Sequence, residues 1–112
     1  MAIAAALIAR ESSWRPRAVG RNRDGTEDYG LMQLNSAYLA EFSWRYREGL
    51  PFDAFDAFDN LAIGVEHLAL LRRYAYSWRG ALAAYNCGLA RYLDGRAPVE
   101  SREYARAILG EK

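Results

Sequence analysis

The chain has 112 residues, 52% of them hydrophobic, and Lys+Arg 15 against Asp+Glu 14 leave a net charge of +1. That length holds one domain with a genuine core, expected over residues 1–112, and the near-neutral charge excludes the polybasic footprint of a nucleic-acid binder or an anionic-membrane binder. A single cysteine and a single histidine exclude an internal disulfide and a Cys/His zinc cluster, so no metal is expected; the chain is separately expected to use no cofactor and to be a monomer.

The longest apolar run, Ala2 to Ala9, is far short of the roughly 20 residues that span a bilayer and lacks the features of a signal peptide. Within residues 2–14, Ile3, Ala4, Leu7 and Ile8 recur at helical spacing, and Pro16 disfavours helix at Arg15. Asn22 to Tyr29 is polar and contains Asp24-Gly25, a turn or short-hairpin signal. From Gly30 the chain turns apolar through Leu31, Met32 and Leu34. Asn35 or Ser36 can cap a helix carrying Tyr38, Leu39 and Phe42, which should stop near Gly49 and Pro51.

Phe52 to Asp59 repeats Phe-Asp-Ala at period three and reads as a connector with aromatic anchors. Asp59 or Asn60 can then cap a long helix whose Leu61, Val65, Leu68 and Ala75 form one face, widened by Ile63, Leu70 and Tyr74. Ser77 can cap a further helix through Ala81 to Tyr85 with Gly88 as its stop. After the Gly95 to Pro98 turn, Ser101 can cap a last helix bearing Tyr104 and Ile108. No long period-two stretch survives, so the fold class is mainly α.

Phosphate-cradling glycine loops, the His-Glu-x-x-His pair and the Gly-x-Ser-x-Gly elbow are absent, which leaves carboxylates, amides and aromatics to carry chemistry. Glu11 falls in the middle of the first helix's apolar stripe. Desolvation disfavours an ionised carboxyl, so such a glutamate can serve as a proton donor. Equally, Glu11 at a helix end can reach water or pair with Arg15. Asp28 is a second acid, across a turn-rich segment that can fold back over the helix. Glycoside cleavage uses one carboxyl to protonate the leaving oxygen and often a second at the anomeric carbon. Composition does not separate Asp28 from Asp24 or Glu27, and all three can simply build turns.

Glu11-Ser12-Ser13, then Gly30-Leu31-Met32-Gln33, then Ala84-Tyr85-Asn86-Cys87-Gly88, then Pro98 to Tyr104 resemble, in order and spacing, the soluble lytic transglycosylases that cleave bacterial peptidoglycan. The resemblance implies a small goose-type-lysozyme-like helical domain with the polar turn or short hairpin over its cleft. It implies that Glu11 acts as acid and then base, while the muramic acid's own C6 hydroxyl gives a 1,6-anhydro product. It also implies that Met32 and Gln33 line the sugar cleft, that Tyr85 and Asn86 face Glu11 from the opposite helix, and that Tyr104 closes the same wall. Ser12 is read as fixing the turn after the helix or bonding near the acid. Cys87 stands where the family more often has alanine.

The segment Asn22 to Ser36 is also similar to the part of animal-type lysozymes that carries their second catalytic aspartate, which places Asp28 in that role by resemblance. The same mixture occurs in small transglycosylases associated with bacterial secretion systems, so peptidoglycan glycan strands and a secretion-apparatus component are the implied partners. The implied location is the periplasm or cell envelope. The alternatives are a hydrolytic muramidase using Glu11 and Asp28, and an inactive wall-binding module. His67 reads as a core or boundary residue. Of Trp14, Trp44 and Trp78, which can stack on sugars or fill the core, Trp44 is expected to be the exposed one. The arginines at 72, 73, 91, 96, 102 and 106 read as a mostly solvated surface.

Overall fold

The computed structural model describes residues 2–40 and 52–111. They are mainly helical, with one small sheet, and gather into two compact units, Leu7–Gly64 and Met1–Ala6 with Val65–Lys112. In chain order the elements are α1 (Ala2–Ser12), β1 (Val19–Arg21), β2 (Glu27–Tyr29), β3 (Leu34–Asn35), a helix α2 over residues 36–40, α3 (Ala57–Ala75), α4 (Trp78–Cys87), α5 (Leu89–Leu93) and α6 (Val99–Leu109). No helix among these residues is long and apolar enough to cross a membrane. Phe42, Trp44 and the expected helix stop at Gly49 and Pro51 lie outside the described residues.

α1 buries Ala4, Leu7 and Ile8, the expected stripe. It ends at Ser12, two residues before the expected limit, because Ser13 (φ 53) and Trp14 (φ 63) take left-handed backbone. Arg15 secures this end, its backbone N–H and its Nε donating to the Ser12 carbonyl at 3.1 and 3.0 Å. The expected hairpin forms. β1 pairs antiparallel with β2 and β2 with β3, which places Gly20, Asp28 and Asn35 in one cross-strand row. Its turn closes as the Asn22 N–H donates to the Thr26 carbonyl at 3.0 Å. Asn35 is the cap of α2, its Oδ1 accepting from the Ala37 N–H at 3.0 Å.

Residues 30–33, between β2 and β3, and residues 52–56, before α3, belong to no regular element, and one side chain organises both. Asn60, fully buried, donates from Nδ2 to the carbonyls of Tyr29 (2.9 Å) and Ala54 (2.8 Å) and accepts from the Met32 N–H at 2.9 Å. Gly30, at φ 76, passes so close to the Asn60 amide and the Ala54 carbonyl that a Cβ would collide with both. Gly64, one turn further along α3, is bare beneath Met32 for the same steric reason. The Phe-Asp-Ala stretch is anchored as expected at Phe55, whose ring lies 5.3 Å from that of Tyr29, whereas Phe58 is 84% exposed.

Two expectations for α3 are corrected. It starts at Ala57 and not after Asp59 or Asn60, because the Asp56 carboxylate accepts from the Asp59 N–H at 3.0 Å. Its buried face is Asn60, Ile63, Gly64, Leu68, Leu71 and Ala75, while Val65, Leu70 and Tyr74 are exposed. A polar residue on the buried face displaces the stripe that hydrophobicity alone selects.

In the second unit, Leu71 and the three alanines 75, 81 and 84 form a buried cluster, covered by Trp78, Tyr85, Leu89 and Tyr92. α4 packs on both α5 and α6, and Gly80 is bare where the Tyr92 phenol lies against it. Ser77 caps α4 as expected, its Oγ accepting from the Gly80 N–H at 2.9 Å, and Gly88 (φ 96) ends it. Leu89–Leu93, not anticipated, forms one further helical turn. Ser101 does not cap α6: the helix begins at Val99 behind Pro98, so Ser101 lies inside it, 1% exposed.

Candidate active site

Glu11 occupies the last turn of α1 and is half-buried, flanked on its own helix by the buried Leu7 and Ile8. Arg15, the partner weighed for it, directs its Nε to the Ser12 carbonyl. Ser12 is 1% exposed and its hydroxyl donates to the Ile8 carbonyl at 3.2 Å. That bond belongs to the helix end and leaves Ser12 no surface for a ligand.

The structure separates the three acids of the hairpin. Asp24 makes the turn: its Oδ1 accepts from the Thr26 N–H (2.9 Å) and hydroxyl (2.6 Å), and these bonds hold its carboxyl below the usual range. Glu27 accepts from the Tyr29 hydroxyl at 3.0 Å and pairs with Arg21 at 3.2 Å. Both contacts lower its pKa, and the bond to Glu27 raises that of Tyr29. Asp28 does neither task. Its Oδ1 accepts from the side-chain amides of Asn22 (3.2 Å) and Asn35 (3.1 Å), the latter its cross-strand neighbour.

Gln33 comes to the same row. At φ 53 it turns back so that its Nε2 donates to the carbonyls of Ala18 and Gly30, each at 3.1 Å. A Cβ on Gly20 would lie 2.8 Å from Gln33 Oε1 and 3.8 Å from Asp28 Oδ2. The hairpin thus brings an amide oxygen and a carboxylate oxygen to one bare glycine. Met32 departs from expectation. It is fully buried against Gly64, and what it offers is its backbone N–H to Asn60.

In the second unit Tyr85 and Asn86 close α4. Tyr85 is half-buried, its ring 5.7 Å from that of His67 on α3. Burial pushes the His67 imidazole down to about 4. Asn86 is exposed, and its Oδ1 accepts from the Ser101 hydroxyl at 2.7 Å. Tyr104, 5% exposed, leaves little more than an edge for a ligand. Cys87 is half-buried, its Sγ 3.5 Å from the Gly88 carbonyl.

Among the tryptophans described, Trp14 is exposed at 55%, and Trp78 lies in the core cluster with Arg72 over its ring at 5.6 Å. Sequence reasoning missed Asn60, Gly20, His67 and Ser101 as organisers of these groups. Only Asn60 carried a signal, an amide at helical spacing from Ile63, Gly64 and Leu68.

The transglycosylase SLT domain family profile matches residues 1–108. The invasion protein IagB of Salmonella typhimurium is 35% identical over 106 residues, 92% of this chain and 61% of that protein. IagB of Salmonella typhi is 34% identical over the same length. The chain spans about three-fifths of the length of these curated relatives, 61% in each.

Among solved structures, the 70 kDa soluble lytic transglycosylase of Escherichia coli matches with a TM-score of 0.72 at 22% identity, covering 96% of this chain and 20% of that one. An inactive mutant of the lytic transglycosylase Slt from Pseudomonas aeruginosa matches with a TM-score of 0.72 at 23% identity over the same shares. At these identities the likeness is one of fold, and it is the lysozyme-like helical fold that the sequence resemblance implied.

Proposed function

Because the chain belongs to the transglycosylase SLT domain family, we propose that it breaks the β-1,4 bond between N-acetylmuramic acid and N-acetylglucosamine in peptidoglycan, with Glu11 as general acid and then base. The observation that supports this most is that Glu11 lies half-buried in the last turn of α1, beside the buried Leu7 and Ile8. Apolar surroundings of that kind are where a carboxyl can serve as a proton donor.

In the proposed reaction Glu11 gives its proton to the glycosidic oxygen, and the bond from that oxygen to the muramic anomeric carbon breaks. The C6 hydroxyl of the same muramic acid attacks the anomeric carbon, and its proton returns to Glu11. The products are a free 4-hydroxyl on one side and a 1,6-anhydro ring on the other, with no water consumed. Asp28 steadies positive charge at the anomeric carbon. Gln33 offers its Oε1 to a sugar hydroxyl, and Asn86, Tyr85 and the edge of Tyr104 hold the glycan through amide and ring contacts. Met32 and Ser12 support the site from beneath. The curated relatives are invasion proteins, and local opening of the wall for an envelope-spanning secretion apparatus is the setting we propose.

A second reading is favoured by the Asp28 geometry. A carboxylate with one oxygen fixed by two amides and the other beside Gly20 is suited to a direct part at the anomeric carbon, with water completing a hydrolysis. Mass spectrometry of products from purified peptidoglycan separates the two. Products one water lighter than reducing muropeptides, abolished by Glu11→Gln in a protein that melts like the wild type, are expected. Reducing ends, lost equally on Asp28→Asn, would replace the transglycosylase with a lysozyme.

A further inference from the structure

We infer that Ser101 is a positioning residue that fixes the Asn86 amide with its NH2 group outward, so that this position selects a hydrogen-bond acceptor on the ligand. An asparagine side chain is a donor on one side and an acceptor on the other, and a half-turn about its last bond exchanges them. Exposed on the last turn of α4, Asn86 has no reason of its own to prefer either orientation.

Ser101 supplies the reason. It sits in the first turn of α6, 1% exposed. Its backbone N–H already donates to the Pro98 carbonyl at 3.1 Å, and its hydroxyl reaches Asn86 Oδ1 at 2.7 Å. A buried hydroxyl must place its proton on an acceptor. Among the described residues the only acceptor its hydroxyl meets is Asn86 Oδ1. Turning the amide round would let Nδ2 donate to the serine oxygen but would strand the serine proton. The carbonyl therefore faces α6 and both amide protons face away. They suit an acetamido carbonyl, a hydroxyl oxygen or a carboxylate, and they discriminate against ammonium groups and other donors.

This inference rests on the glycan-cleaving reading for its ligand but not for its geometry, and the experiment tests them separately. In the free protein, NMR of the Asn86 side-chain amide reports orientation directly. We expect both protons to exchange with water and neither to show a close contact to the Ser101 β protons. A strong contact from one of them would overturn the assignment.

For function, Ser101→Ala is expected to raise KM for glycan about five- to tenfold with kcat within twofold, the effect of freeing one neutral hydrogen bond. Ser101→Thr, which retains the hydroxyl, should restore KM. In an Asn86→Ala background the Ser101→Ala change should add nothing. An equal KM increase in that background, or none in the wild type, would overturn the positioning role. If the wild-type chain neither cleaves peptidoglycan nor binds N-acetylglucosamine oligomers, the catalytic reading fails while the amide NMR still decides the orientation.

Discussion

The two compact units solve the same problem by opposite means. Among its described residues Leu7–Gly64 joins helical stretches to short strands and irregular chain, and in the irregular chain side-chain amides take over the backbone's hydrogen bonding: Asn60 serves three backbone groups, Gln33 two, and Asn22 and Asn35 hold Asp28. In Val65–Lys112 the helices satisfy their own backbone, and alanines let α4 approach its neighbours. The fully buried amide of the first unit, Asn60, is therefore structural. In the second, burial acts on charge: it holds the His67 imidazole well below its ordinary pKa.

The sharpest way to break that contrast is Asn60→Leu. The replacement is apolar, of similar size and favourable in a helix, so a unit held by packing would accept it. A unit held by amide bonds leaves the Met32 N–H and the Tyr29 and Ala54 carbonyls buried without a partner, at a cost of about 3 kcal/mol or more. Thermal melting should fall by roughly 10–20 °C. A fall of only a few degrees would mean that packing dominates in both units.

This contrast also explains what the sequence made legible. Helices that end in ordinary chemistry were readable: Ser77 and Gly88 bracket α4 as their residue types demand, and Asp24-Gly25 turns the hairpin. The face of α3 was readable in part, since Ile63, Leu68 and Ala75 are buried as expected. Hydrophobicity selects Val65, Leu70 and Tyr74, but the buried line begins at an asparagine whose partners lie about thirty residues away in sequence. Ser101 misled for a related reason, because serine near a helix start is a good cap and nothing local signals that its hydroxyl is taken by Asn86. Motif order located the candidate site residues. That Asp28, unlike Asp24 and Glu27, is held by two side-chain amides required the cross-strand register, and Met32's burial required Gly64 beneath it.

His67 sharpens the second half of the contrast. Burial lowers its pKa from 6.5 to about 4, so between those values the unfolded chain binds a proton that the folded chain refuses. Its contribution to stability is full above pH 6.5 and is lost as pH falls toward 4. The gap is worth up to about 3 kcal/mol. Urea midpoints measured from pH 7 to pH 4 for the wild type and His67→Gln isolate it, since carboxylate titrations common to both cancel in the difference. The wild type should lose ground against the variant as pH falls. A difference that stays level with pH would show that the imidazole ionises in place without strain.

The smallest change in stability carries the finest distinction within the first unit, between polar bonds that hold the fold and polar atoms held for a ligand. Gly20 faces Asp28 across the ladder and its φ is not in the left-handed region, so Gly20→Ala should keep the hairpin and alter stability by less than about 1 kcal/mol. The new methyl would lie 2.8 Å from Gln33 Oε1, which forces that amide to move while its Nε2 bonds to Ala18 and Gly30 resist. If Gln33 and Asp28 meet the glycan there, kcat/KM should drop about tenfold with the melting temperature nearly unchanged. Unchanged activity in a folded Gly20→Ala protein would assign the hairpin amides wholly to the fold, and with them the role proposed for Gln33.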